Sequence, residues 1–151
     1  MKQLLSVAAL ALLLIGCECT DVCKNVDAEE SCAPGTPGDF KKTVKDRVFF
    51  NFDSAKLPEG TQATVDAQAG WLKVYPATKA TVEGYCDERG TREYNLALGA
   101  RRAAAVETAL TKAGVAKDRL STVSYGKDKP IVAGSTEEAY AQNRVAVTAI
   151  N

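Results

Sequence analysis

Hydrophobic and polar positions follow two different periods along the chain, and their alternation predicts strands and helices in turn. In residues 47–52 every second position is apolar, as in a buried strand, and residues 80–86 repeat that period. Between them, residues 58–75 place apolar side chains at helical spacing and begin with a proline that suits a helix start. The pattern predicts a β-α-β unit, with Trp71 and Tyr75 packing against it.

A longer helix is predicted after the second strand. Thr91 is a suitable N-cap, Glu93 favours the positive first turn, and Gly114 ends the helix. A buried guanidinium on this helix requires an anionic partner or a path to water, and both alternatives stay open for Arg102. The stripe predicted to face inward comprises Tyr94, Leu98, Arg102, Ala105, Ala109 and Ala113.

Two further strands are predicted at residues 120–125 and 144–150, joined through a loop and a short helical stretch at 137–142. The element order is β-α-β-α-β-(α)-β. This order predicts an α/β protein, a two-layer α+β sandwich with a mixed four-stranded sheet and its helices on one face. Helical crossovers predict that the first three strands pair in parallel and that the last strand joins in mixed register.

Two acidic residues follow the first two strands directly. If those strands run parallel, Asp53 and Asp87 share the sheet edge where α/β proteins bind ligands. The long helix begins at that edge and adds the positive charge of its N-terminus and of Arg102. Two carboxylates and a guanidinium suit a zwitterion, with its amine at the aspartates and its carboxylate at the arginine. The alternative is that Asp87 only caps or charges the helix entrance.

Residues 1–16 have the pattern of an export signal, with Lys2 before an apolar run that is shorter than the roughly 20 residues of a membrane-spanning helix. Residues 14–17, LIGC, resemble the lipobox of bacterial lipoproteins. The resemblance implies cleavage before Cys17 and its conversion to an N-palmitoyl, S-diacylglycerol cysteine. Glu18 in place of aspartate favours the outer membrane, with the domain in the periplasm. The alternative is an ordinary signal peptide with an incidental cysteine.

Residues 17–45 lack an apolar period and are predicted to form a flexible tether before one domain at 46–151. The chain has 19 basic and 19 acidic residues, and this balance excludes a general attraction to nucleic acid. A metal at the tether cysteines is the alternative to disulfides, but the chain contains no histidine and the cluster lacks a paired C-x-x-C, so we expect no metal; we also expect no cofactor. The tether cysteines, Cys19, Cys23 and Cys32, form disulfides or remain free thiols.

Three segments resemble the peptidoglycan-associated lipoproteins of the OmpA-like family. They are residues 48–57 (VFFNFDSAKL), 82–106 (VEGYCDERGTREYNLALGARRAAAV) and 123–130 (VSYGKDKP). The resemblance implies noncovalent binding of diaminopimelate in the stem peptide of uncrosslinked peptidoglycan. It assigns the ligand amine to Asp87 and the ligand carboxylate to Arg102.

The resemblance implies further contacts and partners. The turn that contains Phe52 and Asp53 lines the same pocket, and Asn95 and Leu98 belong to the wall-binding helix motif with Arg102. Implied partners are peptidoglycan, the membrane through the lipid anchor, and the periplasmic Tol β-propeller protein during cell division. The chain departs from the family at several positions, with Gly99 for serine, Tyr85 for histidine or asparagine, Cys86 for threonine, and Arg144 alone where many members have two arginines.

Two other functions remain open. One is a structural envelope lipoprotein whose rim charges pair with each other. The other is a peptidoglycan hydrolase that uses Asp53, Asp87 and Glu88 as paired carboxylates. A hydrolase needs one protonated carboxyl near neutral pH, whereas Arg102 would keep nearby acids ionised. A flagellar stator also uses this domain type, but the lipobox stands in place of its transmembrane helix. We therefore expect a binding protein and not an enzyme.

Overall fold

The computed structural model describes residues 33–151, so the predicted signal peptide, Cys17 and most of the predicted tether lie outside the described residues. In chain order the elements are α1 (Pro37–Thr43), β1 (Arg47–Phe49), α2 (Thr61–Val74), β2 (Ala80–Tyr85), α3 (Arg92–Lys112), a 3-10 turn (Lys117–Arg119), β3 (Leu120–Gly126), α4 (Glu137–Asn143) and β4 (Val145–Ile150). Within this part of the chain, no helix combines the length and apolarity needed to cross a membrane.

The four strands form one mixed sheet in the order β1-β4-β2-β3. β2 and β3 pair in parallel, whereas β4 is antiparallel to both of its neighbours. The mixed sheet is confirmed, but the predicted pairing of β1 with β2 is wrong, because β4 lies between them. Both strands are antiparallel to β4 and therefore still point the same way. Their carboxyl ends meet at one edge of the sheet, as the site prediction requires.

The hydrophobic core lies between this sheet and the helices α2 and α3. Ala80 and Val82 of β2 alternate inward and are almost completely buried, and Leu72 of α2 and Leu110 of α3 pack in the same core cluster. Burial of one such large aliphatic side chain contributes about 1.5–3 kcal/mol. The buried side chains of this cluster all belong to residues 33–151, so this part of the chain includes a hydrophobic core of its own.

The folded domain begins before residue 46, where the sequence placed its boundary. Helix α1 starts after Thr36, whose hydroxyl accepts a hydrogen bond from the Asp39 backbone N–H at 3.4 Å. Phe40 is buried against Trp71, with ring centroids 5.0 Å apart, and the indole N–H donates to the Asp39 carboxylate at 3.0 Å. A helix of 7 residues shows too few apolar repeats for its period to be recognised. The packing role predicted for Trp71 is confirmed.

The buried face of α3 is offset from the predicted stripe. Tyr94 is 45% exposed, and the buried positions are Asn95, Leu98, Gly99, Arg102, Ala103, Val106 and Leu110. Alanines lie on several sides of this helix, so hydrophobicity alone distinguishes its faces poorly. The face is defined by close contact, because a Cβ on Gly84 of β2 would lie only 1.9 Å from the carbonyl oxygen of Gly99. This contact holds α3 against β2, with Arg102 one turn beyond Leu98.

Candidate functional site

A cleft of about 230 Å³ opens at the sheet edge where β1 and β2 end. The six residues predicted as ligand contacts all line it, so the structure brings together parts of the chain that the sequence separates. The lining residues are Phe52, Asp53, Cys86, Asp87, Arg89, Gly90, Tyr94, Asn95, Leu98 and Arg102.

Arg102 lies at the base of the cleft and is only 1% exposed. Its Nε donates to the Ser54 carbonyl at 2.9 Å and its Nη1 to the Tyr85 carbonyl at 2.8 Å. Its Nη2 donates to the Asn51 carbonyl at 3.2 Å. One guanidinium thus joins the turn after β1 to the end of β2 and gives the cleft its shape.

The charge of Arg102 has no carboxylate in ion-pair contact among residues 33–151. Burial lowers its pKa, but an arginine remains protonated at neutral pH. The sequence left two alternatives open for Arg102, a carboxylate partner and a path to water. The described residues provide neither of them. Backbone carbonyls satisfy its hydrogen bonds without supplying a net negative charge, so the base of the cleft keeps a positive charge.

Asp87 is 5% exposed and faces two arginines. Its Oδ2 accepts from Nη2 of Arg89 at 2.7 Å and lies 3.5 Å from Nη1 of Arg144. Glu137 of α4 contacts both arginines, at 3.3 Å from Arg89 and 2.8 Å from Arg144. The capping alternative for Asp87 is wrong, because the hydroxyl of Thr91 provides the N-cap of α3.

Arg89 and Arg144 were not among the predicted ligand contacts. The Arg89 guanidinium lies between two rings, 4.2 Å from the Phe52 centroid and 4.6 Å from that of Tyr140. Its bond to Asp87 raises the pKa of Arg89. Both arginines are held in place by side chains of α4. This helix is distant in sequence from the other elements of the cleft and meets them only in the folded protein. The sequence signal available was the Asp-x-Arg spacing after β2.

Asp53 adopts the left-handed conformation with φ 51, which aspartate tolerates better than most residues. Its carboxylate accepts a hydrogen bond from the Tyr94 hydroxyl, and this bond raises the pKa of Tyr94. Phe52, beside it, is 59% exposed. The turn after β1 therefore gives the cleft one carboxylate and one aromatic wall, and Tyr94 fastens that turn to α3.

Asn95 and Leu98 form the side of the cleft that α3 supplies. The Asn95 amide donates to the carbonyls of Arg89 at 2.8 Å and Thr91 at 3.1 Å, so it holds the loop that carries Asp87. Next to them, the Cys86 thiol lies 3.4 Å from Nη1 of Arg102, and burial raises its pKa. Within residues 33–151, no three histidine, cysteine or acidic side chains are grouped closely enough to hold a metal.

Comparison with solved structures shows how widely this fold occurs. The crystal structure of the peptidoglycan-associated lipoprotein from Burkholderia pseudomallei matches with a TM-score of 0.70 at 40% identity, covering 79% of this chain and 97% of that chain. The C-terminal domain of Helicobacter pylori MotB matches with a TM-score of 0.64 at 24% identity, covering 69% of this chain and 81% of that chain. The second similarity shows the fold alone.

Sequence comparison gives the family. The OmpA family profile matches residues 49–144. A peptidoglycan-associated lipoprotein of Rhizobium meliloti is 50% identical over 120 residues, covering 80% of this chain and 68% of the relative. That of Agrobacterium fabrum is 46% identical over 147 residues, covering 93% of this chain and 83% of the relative. This chain therefore belongs to the OmpA family and, within it, to the peptidoglycan-associated lipoproteins.

Proposed function

We propose that this chain binds the diaminopimelate residue of peptidoglycan stem peptides noncovalently and does not cleave them. The names of its relatives point to peptidoglycan, and the charges of the cleft point to the part that is bound. The observation that carries the proposal is the buried Arg102, which has no carboxylate partner among the described residues and lines the same cleft as Asp53 and Asp87.

The chemistry of diaminopimelate matches this arrangement. Within a stem peptide its far end keeps a free ammonium and a free carboxylate, whereas lysine keeps only the ammonium. The ammonium would contact Asp87 and Asp53, and the carboxylate would contact Arg102. A guanidinium has five N–H donors, and one on Nη2 of Arg102 has no partner within residues 33–151. In this proposal that donor contacts the ligand carboxylate when the ligand enters the cleft that Arg102 lines.

The remaining side chains have supporting roles in this proposal. Phe52 and Leu98 supply apolar walls for the methylene chain of diaminopimelate, and Asn95 positions the loop that carries Asp87. The N-terminus of α3, next to the loop that carries Asp87, adds partial positive charge near the cleft.

The cellular part of the proposal rests on the sequence of the N-terminal segment, outside the described residues. Acylated Cys17 would anchor the chain in the outer membrane, and the tether would let the periplasmic domain reach the wall. The chain would then join outer membrane to wall as part of a Tol-Pal-type system in cell division, with the periplasmic Tol β-propeller protein as a partner.

A structural role without wall binding is the second candidate. It is favoured by the ion pairs of Asp87 and Glu137 with Arg89 and Arg144, because rim charges that satisfy one another need no ligand. The two candidates differ in whether the cleft binds a zwitterion.

Calorimetric titration of residues 33–151 with stem tripeptides that contain diaminopimelate or lysine tests the proposal. We expect the diaminopimelate peptide to bind at least about tenfold more tightly, because only it adds a charge-assisted contact to Arg102. Asp87→Asn should weaken its binding by at least about tenfold. The matched control is Asp128→Asn, since Asp128 also pairs with an arginine, Arg92, but lies outside the cleft.

The outcomes separate the candidates. Binding that needs diaminopimelate and Asp87, with the peptide recovered intact by mass spectrometry, supports the proposal. No binding, or binding that ignores both, favours the structural role. A cleaved peptide would show a hydrolase.

A further inference from the structure

Arg89 already occupies the position against Asp87 that a ligand ammonium needs. We propose that Arg89 is an internal competitor, so that ligand binding exchanges the guanidinium of Arg89 for the ammonium of the ligand. The inference rests on the proposed function and deepens it, because it names the residue that sets how tightly the site holds its ligand.

The first step is the occupancy of the Asp87 carboxylate. Oδ2 accepts from Nη2 of Arg89 at 2.7 Å and lies 3.5 Å from Nη1 of Arg144, while Oδ1 accepts from the Arg89 backbone N–H at 3.3 Å. A carboxylate offers about four acceptor positions, so most of them are in use. The shortest of these contacts, from Nη2 of Arg89, is the one that we expect an incoming ammonium to replace.

The second step is which arginine can leave. The Arg144 side chain is 11% exposed and is held by Glu137 at 2.8 Å and by the Phe50 carbonyl at 3.3 Å. The Arg89 side chain is 37% exposed and lies in the loop between β2 and α3. Arg89 is also held by Glu137 and by the Phe52 and Tyr140 rings, but its side chain is the more exposed of the two and has solvent to move into, so we take Arg89 as the exchangeable cation.

The third step is a defect in the resting position of Arg89. Its Nε is buried and has no hydrogen-bond partner within the described part of the chain. A buried donor without an acceptor is unfavourable, and movement of the side chain into solvent removes that penalty. Outside the pair with Asp87, Arg89 can retain its contact with Glu137, whose side chain is 63% exposed.

The consequence is that Asp87 stays paired while the cleft is empty, and that the ligand binds more weakly than it would without Arg89. Without a ligand, Arg89 keeps the nearly buried carboxylate of Asp87 paired. With a ligand, the free energy of breaking that pair is subtracted from binding, as for any protein whose competent state is only partly populated. The affinity for the wall is thereby lowered, and the bound peptide is released more readily.

The test compares Arg89→Gln with wild type in residues 33–151, using the diaminopimelate tripeptide. Arg89→Gln should bind at least about fivefold more tightly, because its side chain is uncharged and competes weakly for Asp87. Arg89→Lys keeps a competing cation but loses the stacking of the guanidinium on two rings, so its affinity should lie between those of wild type and Arg89→Gln. The matched control is Arg92→Gln, which removes one positive charge nearby without a contact to Asp87, and it should change the affinity by less than about twofold.

A second readout follows Arg89 directly. In ¹⁵N-labelled protein, the Arg89 Nε–H signal, identified by its absence in Arg89→Lys, is expected to be protected from exchange with water in the free state. Saturation with the peptide should move this signal and speed its exchange.

The results are decisive in both directions. Weaker or unchanged binding by Arg89→Gln, equal tightening by Arg92→Gln, or an Nε–H signal that stays in place at saturation would overturn the exchange. If wild type binds through Asp87 while Arg89→Gln is not tighter, only this inference fails. If neither protein binds the peptide, the proposed function fails and the inference falls with it.

Discussion

Arg102 and Arg119 lie at opposite edges of the sheet and have the same kind of partners. Each donates to three backbone carbonyls and has no carboxylate in ion-pair contact within residues 33–151. Arg119, just before β3, donates to the carbonyls of Leu72 at 2.9 Å, Tyr75 at 2.8 Å and Thr78 at 2.6 Å. Hydrogen bonding alone does not distinguish the two residues.

The difference lies in what the carbonyls belong to. Leu72 and Tyr75 end helix α2, where the helix dipole places partial negative charge, so the cation of Arg119 is compensated. The carbonyls around Arg102 belong to a turn and to the end of a strand, without a helix end. Arg102 also lines a cleft with two aspartates. The comparison indicates that carbonyl contacts make a structural clamp, and that the uncompensated charge of Arg102 beside a cleft is what distinguishes the proposed binding site.

Arg102→Met tests the binding side of this comparison and has the largest expected effect. Binding of the diaminopimelate tripeptide should fall at least about 100-fold, because the ligand carboxylate loses its guanidinium in a buried site. Stability should fall by about 3 kcal/mol, since three carbonyls lose their donor. Calorimetry and urea unfolding measure the two effects. Retained affinity in the folded variant would contradict the role given to Arg102.

Gly84→Ala tests the contact that places Arg102. An added Cβ would lie 1.9 Å from the Gly99 carbonyl oxygen, so α3 must move away from β2 at a cost of about 3 kcal/mol. Gly70→Ala is the matched control in α2, where an added Cβ meets nothing within 4 Å, and it should stabilise the protein by about 0.5–1 kcal/mol. Urea midpoints report both changes, and equal effects would show that the approach of α3 is not critical.

Arg119→Met tests the structural side. It should cost about 2 kcal/mol, because carbonyls at the end of α2 lose their donor. Affinity for the tripeptide should change by less than about twofold once the protein is folded, since Arg119 lies at the other edge of the sheet. Unfolding and titration of the same preparation check both statements. A large loss of affinity here would erase the distinction between the two arginines.

The alkylation rate of Cys86 is the prediction with the smallest expected effect, and it reports on the immediate surroundings of Arg102. Burial raises the pKa of this thiol, and the nearby charge of Arg102 partly opposes that rise. Arg102→Met removes a positive charge that favours the thiolate, so the pH profile for iodoacetamide should move upward and the rate at fixed pH should fall several-fold. Arg119→Met should leave the profile unchanged. A profile that moves downward would mean that the substitution has opened the core.

The sequence predicted the elements of the fold better than their arrangement. The hydrophobic periods predicted that β2 is a strand and α3 a helix, with nearly the correct bounds, because each of these elements buries one face. The position of β4 was not predictable from period, since its pairing of Val147 with both Arg47 and Glu83 is a tertiary choice. Helix α1 was missed because its stability comes from the burial of Phe40 against Trp71.

The candidate site shows the same division. Asp53 and Asp87 were predicted to share an edge because strand direction follows from the crossover helices. The contacts of Arg89 and Arg144 were not predicted, because Glu137 and Tyr140 reach them from α4. The carbonyl partners of Arg102 could not be foreseen either, as backbone groups leave no residue-type signal.

The position of β4 also bears on the order of assembly during synthesis. Asp53 and Asp87 follow strands that are joined in the sheet only through β4, which is synthesised after the other three strands described within residues 33–151. A chain interrupted before Val145 contains every residue that lines the cleft but lacks the strand that joins β1 to β2. Its two halves are then connected by the packing of α2 and α3 and by the contacts of Arg102 and Tyr94. We therefore expect the cleft to reach its final geometry only after β4 has been made, and a product truncated before Val145 to bind the stem peptide more weakly. Such long-range pairing also favours slow folding.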